Sequence, residues 1–188
     1  EQDALAPEQP VANLNAEGTV ITGTAEANAK ISVYDSANKL LGSATADGNG
    51  QYTITLSTAL TESKTGSVSA TDAAGNQSTI TTVTGTKDIT APSSPKISDV
   101  TDDVGTSTGP VVPNGTTDDK RPVISGTVSR DEVGATLIVY DNNQAIGNVK
   151  VGTDGKWSFS FDHDLSLGSH SITIVLIDKA GNTSLVSD

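Results

Sequence analysis

The chain has no cysteine and no methionine, and its aromatic residues are one Trp, three Tyr and two Phe. Without thiols, disulfides and thiol chemistry are excluded, so any covalent-like staple must be of another kind. With so few rings, a core must come from Val, Ile, Leu and Ala, supported by Thr and Ser. Together with 18 Gly, that mixture favours strands and tight turns over helices. Long apolar runs are missing too. The longest, Ile172 to Ile177, suits one buried strand and not a bilayer span, so no membrane insertion is expected. Basic residues are scarce, 11 against 23 acids. The net charge of −12 argues against nucleic acid and anionic membrane as partners. It suits a hydrated extracellular surface, or a cation as the missing partner. Glu1 is not an initiator Met and no signal-peptide pattern follows it, so the chain is expected to be a monomeric piece of something longer.

What is present is a repeat. Asp88-Ile-Thr-Ala-Pro92-Ser-Ser-Pro95 restates Asp3-Ala-Leu-Ala-Pro7-Glu-Gln-Pro10, each position 85 residues on. Two prolines three apart hold the backbone extended and remove donors, so both copies read as spacers, and a repeated spacer implies a repeated domain. At 188 residues the chain has room for two domains of ordinary size.

After the first spacer the chain runs through Val11 to Leu14, a turn at Asn15-Ala-Glu-Gly18, and the alternating stretch Thr19 to Thr24. Ala29 to Tyr34 alternates cleanly and places Ile31 and Val33 on one face. Leu40 to Ala46 returns, and Asp47-Gly-Asn-Gly50 signals a hairpin into Tyr52 to Leu56. Gly66 to Thr71, the turn Asp72-Ala-Ala-Gly-Asn76, and Ser78 to Thr84 complete seven short strands with no helix. The second half keeps this order. Ile124-Ser-Gly-Thr127 matches Ile21-Thr-Gly-Thr24 at an offset of 103, and Leu137-Ile-Val-Tyr-Asp141 matches Ile31-Ser-Val-Tyr-Asp35 at 106. Trp157 takes the place of Tyr52, and Asp178-Lys-Ala-Gly-Asn182 that of Asp72-Ala-Ala-Gly-Asn76. The drift in offset locates an acidic insertion, about Thr101 to Arg121, between the first two strands of the second half; it is read as a loop without strands.

Seven short strands with regular turns predict a Greek-key β-sandwich. The expected architecture is all-β: two tandem Ig-like sandwiches over 1–87 and 88–188, joined by a short Pro-containing linker. These motifs also carry a resemblance. The G-T ending the second strand, V-Y-D in the third, D-G-x-W/Y before the fifth, the D-x-A-G-N-x-S turn and the D-x-T-A-P spacer occur twice in order. In this the chain resembles the bacterial Ig-like repeats of giant biofilm-associated and type-I-secreted (RTX) surface adhesins. The resemblance implies a secreted or cell-surface stalk of neighbouring Ig-like repeats, acting in cell adhesion and biofilm formation. It further implies Ca²⁺ stiffening at the joints and contact with a host surface through other parts of the protein.

Strand order decides which acids can meet. Loops after the second, fourth and sixth strands share the pole where the chain enters; those after the first, third and fifth share the opposite pole. In the second half Asp178, Asp131 and Glu132 therefore face the spacer headed by Asp88. Two unit charges about 4 Å apart at an effective dielectric near 20 repel by about 4 kcal/mol, so such a cluster wants a cation. Ca²⁺, with its tolerance of irregular oxygen ligands, fits better than Mg²⁺. A second candidate lies in the insertion, where Asp102, Asp103, Asp118 and Asp119 bracket a Gly- and Pro-containing loop near Asp162 and Asp164. Asp3 and Asp72 form a half-site at the start of the first unit. The bland reading beside each is a turn-capping or solvated acid.

Other signals are weaker. Asp47-Gly-Asn-Gly50 lacks the length and closing Glu of an EF-hand. His163 and His170 are too few for zinc and are read as surface residues. No G-x-S-x-G elbow, acid–base pair or catalytic-metal spacing occurs, so no enzyme is expected. Asn76, Asn114 and Asn182 head glycosylation-like triplets that read as turn chemistry. The rival to a stalk is a ligand-binding module that grips a host glycan or protein through its pole loops. It calls for exposed aromatics there, and Trp157 is better read as structural.

Overall fold

The computed structural model describes residues 4–187, and the chain divides into two compact units, Glu1–Ile89 and Thr90–Asp188. In the first, β1 (Val11–Leu14), β2 (Val20–Thr24) and β5 (Gln51–Thr55) make one antiparallel sheet in the order β1-β2-β5. The other contains β3 (Lys30–Asp35), β4 (Leu40–Thr45), β6 (Thr65–Thr71) and β7 (Thr81–Thr84), in the order β4-β3-β6-β7. The chain crosses between the sheets at β2–β3, β4–β5 and β5–β6, so that β5 returns to pair with β2, which makes this the Greek-key sandwich expected from the sequence. Alternation does the sorting: Ile31 and Val33 of β3 are fully buried while Lys30 and Tyr34 point out. They meet Ile21, Ile54, Val68 and Ala70 in a core that is almost entirely aliphatic.

The second unit repeats the plan. One sheet holds β8 (Asp99–Asp102), β9 (Gly109–Pro110), β10 (Val123–Thr127) and β13 (Lys156–Ser160), in the order β13-β10-β8-β9. The other holds β11 (Thr136–Asp141), β12 (Gln144–Lys150) and β14 (Ile172–Ile177), in the order β12-β11-β14. Ile124, Leu137, Val139, Ile174 and Leu176 line its core with Trp157 and Phe161. The matching strands β3 and β11 carry a bulge at the same place, Val33/Tyr34 and Val139/Tyr140.

Two expectations need correction. The insertion is not strandless: β9 pairs with β8, Thr101 opposite Pro110 and Asp102 opposite Gly109, so its base is a hairpin. Pro110 stands in a strand because β9 is at the sheet edge, where its missing donor is not needed. The last strand of the second unit is also looser than expected. Residues 184–187 join β14 through Ser184 N to Leu176 O and Ser187 N to Ile174 O. The hydroxyls of the same serines accept from Leu176 N and Ile174 N. Side-chain oxygen there replaces the carbonyls of a regular ladder.

The G-T and W/Y motifs are two halves of one device. Gly23 lies opposite Tyr52, and Gly126 opposite Trp157, so each ring lies across a residue without a side chain. A Cβ on Gly23 would sit 1.8 Å from the Val11 carbonyl oxygen and 2.8 Å from the Tyr52 hydroxyl. On Gly126 it would meet the Lys96 carbonyl at 2.6 Å and the Trp157 ring at 2.9 Å. The Tyr52 hydroxyl donates to the Val11 carbonyl at 2.5 Å, and burial pushes its pKa up to about 12. Trp157 is 3% exposed, which rules it out as a surface platform for sugar; its indole N–H has no protein partner.

Side chains also join the first and last segments of the first unit. Gln9 Nε2 donates to the Ile80 carbonyl at 2.8 Å, Thr81 Oγ1 to the Pro10 carbonyl at 2.5 Å, and Asn76 Nδ2 to the Leu5 carbonyl at 3.3 Å. In the second unit Ser94 Oγ donates to the Val186 carbonyl at 3.2 Å.

Candidate functional site

The D-x-A-G-N turns form first from local chemistry. Asp72 accepts from Asn76 N and Nδ2, both at 2.8 Å, and Asp178 accepts from Asn182 N at 2.8 Å and Nδ2 at 2.9 Å. Gly75 and Gly181 supply the positive φ that closes each turn. The Asn76 side chain and the turn amides hold Asp72 below its ordinary value. Burial works to raise Asp178, but its Asn182 contacts and turn amides outweigh it and hold it low. The asparagines of two glycosylation-like triplets are thus turn partners of acids.

The second and sixth loops of the second unit do lie together. Asp131 and Glu132 occupy a single 3-10 turn, Arg130–Glu132, opened by Ser129, whose Oγ accepts from Asp131 N. The Lys179 side chain, next to Asp178, lies over Gly134, just past that turn. A lysine stem thus lies beside the predicted ligand loops, a neighbour that the acidic motif alone does not signal. Asp88 is exposed near the end of the first unit, and Asp3 lies outside the described residues.

The insertion is where buried charge is concentrated. Asp102 is 5% exposed and Asp119 6% exposed. Asp102 accepts from Val104 N at 3.0 Å and from Thr117 Oγ1 at 2.6 Å; the same Thr117 oxygen accepts from Asp119 N at 3.0 Å. Asp119 in turn accepts from Arg121 N at 2.7 Å and Asp103 N at 3.4 Å. Asp118 lies over Gly105, its Oδ2 2.4 Å from where a Cβ would be, and its carboxyl contacts Asp102. Asp103 thus contributes its amide to this arrangement while its side chain is exposed. Ser107, Thr108, Val112, Gly115 and Thr116 line a cavity of about 170 Å³ beside Asp102. The insertion is fastened to the fifth loop by Leu165 N to the Lys120 carbonyl at 2.9 Å and by an Arg121–Asp164 ion pair at 2.7 Å.

The donors are all oxygen, carboxylates with one hydroxyl, which is the set a hard divalent cation prefers. Within neither unit do the described residues gather three or more His, Asp or Glu side chains into a set able to hold a metal ion. Sequence reasoning missed Thr117, whose hydroxyl joins the two buried acids; a Thr in a Thr-rich chain gives no signal.

The Thr117 hydroxyl, then the Val104 amide, hold Asp102 below the ordinary 3.8, against its burial. A carboxyl depressed on folding contributes stability above its unfolded value and loses it as pH falls through the folded one. Amide protection across 102–119, corrected for the intrinsic pH dependence of exchange, is therefore expected to hold at pH 5 and to be lost as pH falls through the lowered value of Asp102. Asp102→Asn should remove that pH step.

Residues 6–87 match the model of a family described as Bacterial Ig domain, and residues 93–188 that of Bacterial Ig-like domain. Among solved structures, one from a 1.5-MDa bacterial ice-binding adhesin, concerned with host cell surface retention, aligns at TM-score 0.53 and 19% identity. That alignment covers 97% of this chain and 62% of that one. The BSP domain of a biofilm-associated protein aligns at TM-score 0.35 and 22% identity, over 96% of this chain and 28% of that one. A two-domain fibronectin type-III segment of chicken tenascin aligns at TM-score 0.35 and 13% identity, over 96% and 95%. The chain thus spans less than two thirds of the first two. No curated protein matches.

Proposed function

The chain belongs to the bacterial Ig-like domain family, and from that membership we propose that it is a spacing segment of a bacterial surface adhesin, stiffened by calcium. The observation that carries this reading is the tandem itself: two sandwiches of one family, each with its own closed core. Domains of this kind are typically structural modules and not enzymes. The likeness to an ice-binding adhesin retained at a cell surface supports the setting through fold alone. A gripping module would present rings at its poles. Here every aromatic residue lies in a strand or, as Phe161 does, directly after one.

Calcium is proposed in two places. One set of ligands is Asp88, Asp178, Asp131 and Glu132. The other is Asp102, Asp118 and Asp119, which this structure does not gather into a metal-holding set and which would have to close around the ion, with Thr117 bonded to two of them. The cation would neutralise carboxylates that otherwise repel one another, and would lend rigidity outside the cell, where calcium is millimolar. At about 100 times its dissociation constant it stabilises the bound form by roughly 2.7 kcal/mol. Calorimetric titration of Ca²⁺ into the chain tests this, paired with small-angle scattering before and after a chelator. Binding lost stepwise in Asp88→Ala/Asp178→Ala and in Asp102→Asn/Asp119→Asn supports both sites. No heat, with scattering unchanged by chelator, refutes the calcium reading and leaves the spacer reading to be judged on family grounds.

A further inference from the structure

His170 was expected at the surface, but its side chain is only 17% exposed and it faces Asp141, itself 15% exposed, at the end of β11. Nδ1 lies 2.7 Å from Asp141 Oδ2, and Nε2 lies 2.8 Å from the Ser166 carbonyl oxygen. A carbonyl and a carboxylate can only accept. A neutral imidazole carries one N–H and would have to give up one of these two contacts; the imidazolium donates to both. Asp141 Oδ1 is buried without a hydrogen-bond partner, so the side-chain contact of this carboxylate is made through Oδ2 to the ring.

The pair stands where a loop is fastened. His170 ends the connection from β13 to β14, a stretch that carries Leu167, 95% exposed, at its tip. Beside the pair, Ser171 N donates to Asn142 Oδ1 at 3.1 Å, and Asn142 N to the Ser171 carbonyl at 2.9 Å. Asn142 and Asn143 form the β11–β12 hairpin turn with positive φ. The other half of the loop is tied to the insertion through Leu165 and Asp164. In the first unit Asp35 stands where Asp141 does, but caps its own turn through Ala37 N and Lys39 N, and Lys64 replaces the histidine. The device belongs to the second unit only.

We infer that the His170–Asp141 pair is a proton-operated latch: while the ring is doubly protonated it holds the β13–β14 loop against the β11–β12 hairpin, and on deprotonation it releases it. The charged group facing the ring is Asp141, from β11; from the ring's own loop it meets the neutral Ser166 carbonyl. The Ser166 carbonyl, then Asp141, raise the His170 value above the ordinary 6.5, against partial burial. A histidine raised on folding contributes stability below its unfolded value and loses it as pH rises through the folded one. The latch is therefore closed in mildly acidic medium and opens toward alkaline pH. The inference rests on the geometry of the second unit and is independent of the spacer reading.

The test uses the whole chain. Proton NMR follows the His170 ring through pH 5–9, while amide exchange of 162–171 is corrected for its intrinsic pH dependence. The expected result is a His170 midpoint above 6.5 and a loss of loop protection that tracks it. In Asp141→Asn, which keeps the shape of the side chain, the midpoint should fall and the pH step in protection disappear. A midpoint at or below 6.5, or protection unchanged as the ring titrates, overturns the latch.

Discussion

Trp157→Ala is expected to cost the second unit about 3–5 kcal/mol, the range for truncating a buried aromatic to alanine. A domain of this size has only about 5–15 kcal/mol in hand, so a large part of its margin would go. The ring is 3% exposed and packs among the residues of the second core while covering Gly126. Alanine would leave a cavity beneath β10 that the stiff ladder around it cannot close. The loss should be confined to one unit, because the two cores share no residue. Amide exchange in β10, β11 and β14 should quicken while β2, β3 and β6 keep their protection. A loss below about 1 kcal/mol would mean that the surrounding aliphatic side chains collapse into the space.

Gly23→Ala should destabilise the first unit by about 3 kcal/mol, the upper end for overpacking. The new methyl would meet the Val11 carbonyl oxygen at 1.8 Å, and that oxygen is backbone in a paired strand. Relief requires β1 to lift, which breaks the Tyr52 bond to the same carbonyl. Gly48→Ala is the control, since nothing lies within 4 Å of its Cβ position. It should fall within about 0.5 kcal/mol of the parent. Urea titration of both variants, read by exchange in β2 and β5, separates the two. Equal midpoints would show that β1 contributes nothing to the stability of its sheet.

Much of this molecule was legible in the residues. Period-2 alternation in Ile31-Ser-Val33 and Leu137-Ile-Val139 fixed the buried faces, and repeated motif order fixed the duplication. Strand parity put Asp178 near the loop of Asp131, and the insertion near Asp164, as the Lys179–Gly134 and Leu165–Lys120 contacts show. What stayed hidden depends on partners far along the chain or on side chains with two uses. The Gly109-Pro110 strand exists only because Thr101 and Asp102 are opposite, and its own composition argues for a turn. His170 and Asp141 are 29 residues apart and share no motif. For the acids the obstacle is chemical. An Asp that caps a turn and an Asp that awaits a cation look alike in sequence, because both accept from backbone amides in Gly-rich loops. Asp72 and Asp178 do the first in full view, and nothing in that stops them from doing the second.

The side-chain bonds from Gln9, Thr81 and Asn76 to carbonyls of the opposite terminal segment have a mechanical consequence. When the first unit is hauled by its two ends, the leading and trailing segments slide past each other, and all three bonds resist as a group. A lone hydrogen bond yields like an opening zip; three set in parallel share the load, and the sandwich gives way only when all of them fail together.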